Sequence, residues 1–568
     1  MQIMRISSLL CLSVLAIHLH AGQQPLPSGT EATGQVNTEE LQKLWERIAA
    51  QEQEIKQLQE SVQEQRAMLE KALDMTGSSA ADQPKTEAAA SNQQPAPARM
   101  APAADAARPH SVSAAQTGSA QHRTTAAPSP LGVKIGNTTL TPLGFVDATF
   151  FARSTNAGTG VGSNFATTPY DNSAAGHMSE MNFSLQNSRI GFRVDSDFLG
   201  YKILGYFEGD FLGNNAANTF VTSNSNTFRL RNFFVDTQKG GFEFLGGQDW
   251  SLFTPNRKGL SPLPADIFYT QDVDTNYNVG LWWARQPQFR FIAHASENFV
   301  LGVSLENPQQ YTGSSVAFPA AFSTNLSTSA SNSEFNNGST AYSAPNLTPD
   351  LIFKAAYDGM AGSKHMHVEA GALIRNFKDS LPFTPAGTPA TSSTPGVLYR
   401  TDTATEATGE MNANLELFRN FHLIMNTFFG AGGGRYLQGN GPDLIVRADG
   451  TISPVHTYAT LDGFEANITK NTLISVLYGG EYFARNSAVD ANGKYIGYGY
   501  VGSPNSNNRN VHEVTFDIVR TLWKAPGYGA LSLMGQYSYL WRDPWTIANG
   551  QRNARTNLYY MNLRYTLP

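Results

Sequence analysis

Residues 531–541 read Leu-Ser-Leu-Met-Gly-Gln-Tyr-Ser-Tyr-Leu-Trp, and most of the large apolar side chains fall at odd-numbered positions. Successive side chains of a β-strand point to opposite faces, so this alternation predicts a strand with one apolar and one polar face. Residues 513–518, 189–195 and 202–211 alternate in the same way. The sequence therefore predicts amphipathic strands at widely separated places in the chain.

The alternation predicts sixteen strands joined by connections of two different lengths. The predicted strands are residues 143–153, 181–195, 200–211, 227–237, 241–251, 279–291, 298–306, 349–358, 365–377, 406–418, 421–431, 456–467, 471–483, 511–522, 529–541 and 556–567. Short connections at residues 196–199, 238–240, 359–364 and 419–420 are separated by long ones at 154–180, 252–278, 307–348, 378–405, 432–455 and 484–510. Short periplasmic turns and long external loops are typical of outer-membrane barrels.

We therefore expect an all-β transmembrane fold over residues 131–568, an antiparallel up-and-down β-barrel of about sixteen strands. An even strand number places both termini in the periplasm. The apolar faces must meet outer-membrane lipid, and the polar faces must then line a water-filled lumen. Aromatic residues near predicted strand ends, among them Trp282, Trp283, Trp523 and Trp541, are expected to form an interfacial girdle.

The composition excludes two other classes of protein. Charged residues make up 15% of the chain, below the roughly one quarter that is typical of soluble domains. After the first 20 residues no apolar run is long enough for a membrane-spanning helix, which excludes a helical membrane protein. The net charge of -6, with scattered Lys and Arg, gives no basic surface for nucleic acid.

The first residues predict export from the cytoplasm. Residues 1–21 place Arg5 before an apolar stretch and end in Leu-His-Ala, which predicts a cleaved signal peptide. Cys11, the only cysteine, lies inside this segment, and the residues just before it are not the small ones that a lipidation site needs. The mature chain is therefore expected to have no thiol for a disulfide, a metal or catalysis.

Residues 37–75 carry a seven-residue repeat that predicts a periplasmic α-helical coiled coil. The residues expected to pack at its seam and hold a homo-oligomer together are Leu41, Leu44, Ile48, Ile55, Leu58, Val62 and Leu69. A charged helix on the protein's own surface is the alternative interpretation. Residues 76–130 are rich in Ala, Pro, Gln, Ser and Thr and predict a disordered linker.

Four short motifs resemble those of DcaP-like trimeric porins. They are SRIGFR at 188–193, GQDW at 247–250, RQPQFR at 285–290 and LENP at 305–308. Together with the heptads, the resemblance covers nearly the whole mature chain. It implies a trimer of sixteen-stranded barrels in the bacterial outer membrane that passes small, often anionic, solutes.

Several charged residues fall on the polar faces of predicted strands and are candidates for pore lining and selectivity. They are Arg189, Arg193, Arg229, Arg231, Arg290, Arg375, Glu208 and Asp210. Guanidinium groups in a lumen bind carboxylates and phosphates and favour anions. Alternatively, these charges only solvate the wall and cancel one another in ion pairs.

Other functions have weaker support in the sequence. His365, His367 and Glu369 share a strand face, but polar residues at a barrel rim have the same spacing, so neither a metal site nor a cofactor is expected. No nucleophile-elbow or zinc-protease motif occurs, so an enzyme such as an outer-membrane hydrolase is not expected. The rival to a porin is a structural anchor whose coiled coil spans the periplasm or binds the cell wall.

Overall fold

The computed structural model describes residues 129–213, 226–267, 273–313, 316–319, 335, 348–383, 398–547 and 554–568. The predicted signal peptide, the coiled coil with its seven seam residues, and nearly all of the predicted linker lie outside these residues.

Eighteen hydrogen-bonded segments form one antiparallel sheet. Segment Val133–Ile135 pairs only with the strand that follows it, and Glu180–Ser184 and Arg189–Phe198 are two parts of one strand, which leaves sixteen strands. They are β1 (Thr138–Arg153), β2 (Glu180–Ser184 and Arg189–Phe198), β3 (Tyr201–Asp210), β4 (Arg229–Lys239), β5 (Phe242–Trp250), β6 (Arg285–His294), β7 (Phe299–Glu306), β8 (Asp350–Ala361), β9 (Lys364–Phe383), β10 (Leu398–Phe418), β11 (Phe421–Ala431), β12 (His456–Thr469), β13 (Thr472–Phe483), β14 (Asn508–Ala525), β15 (Gly529–Pro544) and β16 (Ala554–Thr566).

The loops contain a few short elements of their own. Two small hairpins pair Leu444–Val446 with Ile452–Pro454 and Asn486–Val489 with Tyr495–Tyr498. Single 3₁₀ turns occur at Phe165–Thr167, Ala174–His177 and Gly434–Tyr436. Among the described residues, no helix is long and apolar enough to cross a membrane.

The sheet closes on itself. Each strand pairs with the next, and β16 pairs with β1 from Phe145 opposite Thr566 to Arg153 opposite Leu558. Closure leaves no strand with a row of unpaired backbone groups at an edge. The predicted barrel of about sixteen antiparallel strands is confirmed.

The two faces of the strands differ as the sequence predicts. In β14, Val514, Phe516 and Ile518 are 41%, 44% and 39% exposed, whereas the alternate residues Glu513 and Asp517 are each 1% exposed. The apolar side chains lie on the outer surface of the barrel, and the polar ones point into it.

Tight turns join the strands at the end of the barrel where Ser129 donates a hydrogen bond to the carbonyl oxygen of Pro568. The connection from β2 to β3 consists of Leu199 and Gly200, whose φ angles are 50° and 78°. Positive φ at both positions is the geometry of a two-residue hairpin turn that matches the twist of its strands. The long connections lie at the opposite end.

Two strand predictions were wrong. The predicted loop 378–405 is much shorter, because β9 continues to Phe383 and β10 begins at Leu398. Residues 401, 403 and 405 on the outer face of β10 are Thr rather than apolar, so this part of the strand does not alternate in polarity.

The predicted strand 279–291 begins only at Arg285. Residues 279–284 belong instead to a connection that folds into the barrel. Trp282 and Trp283 are therefore buried and do not belong to an outer girdle, whereas Trp523 is exposed on the outer surface.

Candidate functional site: the lumen of the barrel

The connection between β5 and β6 fills much of the interior. We call residues 251–284 the inward segment, of which 251–267 and 273–284 are described. Its side chains Phe253 and Trp282 are fully buried. The Trp282 ring lies 5.5 Å from the ring of Phe428, which is an inward-facing residue of β11. The apolar part of the barrel interior is thus formed jointly by this segment and the wall.

Carboxylates of the wall accept hydrogen bonds from the inward segment. Glu306 Oε1 accepts from the amide of Leu252 at 2.8 Å, and Glu513 Oε2 accepts from that of Val279 at 2.9 Å. The other such pairs are Asn256 N with Glu369 Oε1 at 2.9 Å, Gly259 N with Asp358 Oδ2 at 2.6 Å, Gly280 N with Glu481 Oε1 at 3.0 Å, and Trp282 Nε1 with Glu410 Oε2 at 2.8 Å. Buried backbone N–H groups outside a sheet need such partners.

Of these six carboxylates, the sequence analysis considered only Glu369, which shares a strand face with His365 and His367. All six lie on β7 to β10, β13 and β14, and each occupies the polar face of its strand. Their position on that face is the signal by which the sequence could have identified them as lumen-facing. The polar face does not reveal which residue each carboxylate contacts, because the contacts join residues far apart in the sequence. Glu513 and Val279, for example, are 234 residues apart.

Five of the eight predicted residues meet on β2, β3 and β4, and we call them the arginine cluster: Arg189, Arg229, Arg231, Glu208 and Asp210. Glu208 Oε1 accepts from Arg189 Nη1 and from Arg231 Nε, each at 3.0 Å. Asp210 Oδ2 lies 2.8 Å from Arg229 Nη2 and 2.9 Å from Arg231 Nη1. Three guanidinium groups against two carboxylates leave one net positive charge.

Some N–H groups beside this cluster have no acceptor. Arg189 Nε and Nη2 and the indole nitrogens of Trp250 and Trp283 are buried, and no acceptor among the described residues reaches them. The Arg231 guanidinium lies 6.0 Å from the centre of the Trp250 ring, and the rings of Trp250 and Trp283 are 5.6 Å apart. The two indole rings therefore lie beside Arg231, and buried N–H donors without an acceptor have the chemistry to bind an anion.

The other three predicted arginines lie apart from the cluster. Arg193 forms an ion pair with Asp195 at 2.7 Å and is half-buried. Arg290 donates from Nη2 to Gln288 Oε1 at 3.0 Å and lies 3.5 Å from Asp249. Each therefore has a partner on its own part of the wall.

Arg375 lies across the barrel from the arginine cluster, on β9. It contacts Asp443 at 2.9 Å and Asp350 at 3.3 Å. Asp443 belongs to the loop after β11. The pKa of its carboxyl is raised, because the effect of burial exceeds the lowering by the Arg375 guanidinium. Arg375 thus fixes a loop to the wall.

His367 of β9, one of the residues considered for a metal site, contacts two carboxylates. His367 Nδ1 is 3.0 Å from Asp358 and its Nε2 is 3.3 Å from Glu369. Glu369 also lies 2.9 Å from Lys354 Nζ. In the described parts of the chain, no group of three or more His, Cys, Asp or Glu residues is arranged to hold a metal ion.

Comparison with known proteins identifies solved structures that this chain resembles in fold. No family model and no curated protein matches the sequence. The outer membrane channel DcaP of Acinetobacter baumannii matches in structure with a TM-score of 0.54 and 17% identity, over 77% of this chain and 99% of that one. An anion-selective porin from Comamonas acidovorans matches with a TM-score of 0.42 and 12% identity, over 76% and 99% of the two chains. The chain therefore resembles the DcaP channel in fold, in agreement with the resemblance that its sequence motifs indicate.

Proposed function

We propose that this chain is an outer-membrane porin, a water-filled channel for the passive diffusion of small, hydrophilic, anionic solutes. The closed barrel has an apolar outer surface, as lipid requires, and a polar inner surface, as water requires. On the same reasoning, the termini and the predicted coiled coil lie in the periplasm, and the predicted heptads assemble a homo-oligomer, which we propose is a trimer.

The observation that carries the preference for anions is the group of N–H donors beside the arginine cluster. Arg189, Trp250 and Trp283 present four buried donor nitrogens without an acceptor, next to one net positive charge. A buried donor without a partner costs free energy, and an anion that accepts from it recovers that free energy. A cation gains nothing from these groups.

Ion selectivity across a planar bilayer tests the proposal. Replacing Arg189 and Arg231 with Ala should shift the reversal potential in a salt gradient toward cations. The control Arg555→Ala removes one positive charge from an exposed position on the outer face of β16 and should leave the potential unchanged. An identical potential for all three proteins would mean that these arginines are neutralised wall residues.

One observation favours a second candidate, a structural anchor without transport. Arg231, Glu208 and Trp282 are each 0% exposed, so charged wall residues and part of the inward segment are closely packed inside the barrel. A permanently filled barrel conducts no ions. The absence of any current from correctly folded oligomers would establish the anchor and exclude the porin.

A further inference from the structure

Three successive tight connections carry an exposed basic residue in the turn or beside it. These residues are Arg419 between β10 and β11, Lys470 between β12 and β13, and Lys524 near the end of β14. Arg520 of β14 is also exposed, on the outer face that it shares with Ile518. Residues 466–474 and 518–535 contain no Asp or Glu. The edge of the barrel from the end of β12 to β15 therefore has exposed positive charge and no negative charge of its own.

Two of these bases are brought together by the turn between β12 and β13. Arg520 Nη1 donates to Thr472 Oγ1 at 2.6 Å and lies 3.4 Å from Thr469 Oγ1. Lys470 lies between these two threonines in the chain, so the Arg520 guanidinium is held beside the turn that carries Lys470. No carboxylate in the described part of the chain forms an ion pair with either base. Like charges repel each other, and an anion that contacts both removes that repulsion.

The surroundings of the two bases are typical of a membrane surface. Ile468 and Leu522, each two residues from one of the bases, are 57% and 49% exposed. Trp523 is 42% exposed, and its ring lies 6.1 Å from that of Tyr565. Exposed Trp and Tyr side chains of a membrane barrel lie at the depth of the lipid headgroups. The two bases are therefore at headgroup depth, with apolar side chains beside them that can contact acyl chains.

A phospholipid with a net negative charge is the ligand that fits both properties of this surface. Its phosphate oxygens accept charge-assisted hydrogen bonds from guanidinium and ammonium groups, and its acyl chains pack against apolar side chains. A free phosphate ion makes no use of the apolar neighbours. The cell wall lies in the aqueous periplasm, away from the outer face that carries Arg520.

We propose that Lys470 and Arg520 bind the phosphate of an anionic phospholipid in the leaflet that faces the periplasm. The tight turns define this leaflet, because the proposed function places them in the periplasm. The inference goes beyond the proposed channel, since the site lies on the outer face and does not require the lumen to conduct.

Native mass spectrometry of the mature protein in a neutral detergent tests the site. The protein is titrated with dioleoylphosphatidylglycerol, which has a net negative charge, and in parallel with dioleoylphosphatidylcholine, which has the same acyl chains but no net charge. The variant K470Q/R520Q removes both bases. The matched control K494Q/R555Q removes one Lys and one Arg from exposed positions at the opposite end of the barrel. Circular dichroism verifies the β-sheet content of each protein before titration.

We expect the wild type and the control to bind the anionic lipid with at least about tenfold higher affinity than K470Q/R520Q. Each basic residue near an anionic lipid surface contributes a factor of about five to the affinity. The zwitterionic lipid should bind more weakly, and equally to all three proteins. Equal affinities of the three proteins for the anionic lipid would overturn the site. Displacement of the lipid by millimolar inorganic phosphate would also overturn it, because the bases would then bind free phosphate.

Two further measurements separate this site from other functions. K470Q/R520Q should conduct as the wild type does, and a silent wild type that still prefers the anionic lipid would overturn the porin alone. If K470Q/R520Q instead loses binding to purified peptidoglycan and keeps its affinity for the lipid, the two bases contact the cell wall and the lipid site is wrong.

Discussion

Arg231 donates from Nε to Oε1 of Glu208 at 3.0 Å, and both side chains are completely buried. The same oxygen also accepts from Arg189. Glu208 is therefore the carboxylate that balances two of the three guanidinium groups in the arginine cluster. The size of the local positive charge therefore depends on this residue.

Glu208→Gln should increase the preference for anions. The substitution keeps the size and an acceptor oxygen but removes one negative charge, so the excess of positive charge in the cluster grows. The reversal potential should shift further toward anions, and more so at low salt, since charges are screened over roughly 8–10 Å at physiological ionic strength.

The matched control for Glu208→Gln is Asp517→Asn on β14, five strands away in the barrel, where Asp517 accepts from Ser475 at 2.9 Å. Its effect on selectivity should be smaller. A larger shift from Asp517→Asn would indicate that the arginine cluster does not dominate the field along the path.

The stability of the junction between β1 and β16 should depend on a buried ion pair. Asp147 of β1 forms a salt bridge with Arg564 of β16 and accepts from Asn562 at 2.7 Å. Asp147→Leu removes the carboxylate that forms an ion pair with the buried Arg564 guanidinium, which should lower the free energy of unfolding by about 3–5 kcal/mol. Urea unfolding of the folded barrel in lipid measures this change.

The double variant D147L/R564L should recover much of that loss, because neither charge is then left alone. If the double variant is as unstable as the sum of its two single variants, the pair contributes no coupling and the junction depends on its backbone hydrogen bonds alone.

The carboxylate of Asp462, on the outer face of the barrel, should lower the stability of the folded protein. Asp462 lies midway along β12, on the same face as the exposed Tyr458 and Ile468, and accepts from Thr460 Oγ1 at 2.6 Å. Lipid does not solvate a carboxylate, so Asp462→Leu should raise the free energy of unfolding by roughly 1–2 kcal/mol. Phe464→Leu, on the same face, should not stabilise the barrel. A loss of stability in Asp462→Leu would indicate that another polar group covers this face.

The predicted coiled coil should hold the oligomer together. Ile48→Asp and Ile55→Asp place like charges at the seam and should weaken the assembly, which analytical ultracentrifugation in detergent measures. Contacts between barrels can retain part of it. If a protein without residues 22–75 resists dissociation as well as the full mature chain, the heptads are not the determinant.

The barrel was predictable because its wall meets two different solvents. Lipid and water impose opposite polarity on alternate residues, and Val514 with Glu513 shows this directly. The signal fails where a strand meets only one solvent. The outer face of β10 near Thr403 is exposed but not apolar, and the sequence therefore predicted a loop there.

The inward segment could not be predicted for the opposite reason. Residues 279–284 are apolar, and apolar residues are equally compatible with a lipid-facing strand and with a segment buried inside the barrel. The members of the arginine cluster were all predicted because the alternation of polarity along each strand is enough to place them in the lumen. Its pairing depends on the register of β2, β3 and β4, which one sequence does not reveal. The role of the cluster in selectivity is still a prediction.

The two longest strands make the barrel taller on one side. β9 and β10 contain 20 and 21 residues, whereas β7 contains 8. At about 3.3 Å per residue and a tilt of about 45°, the long pair reaches roughly 45 Å along the barrel axis, against an apolar band of about 25 Å. Their far ends, with outward-facing Thr401, Thr403 and Thr405, would stand among the sugars beyond the lipid headgroups. The rim of the barrel is therefore higher at β9 and β10 than at β7. A molecule that diffuses toward the lumen meets the threonine hydroxyl groups of the high side, whereas the low side leaves the entrance uncovered.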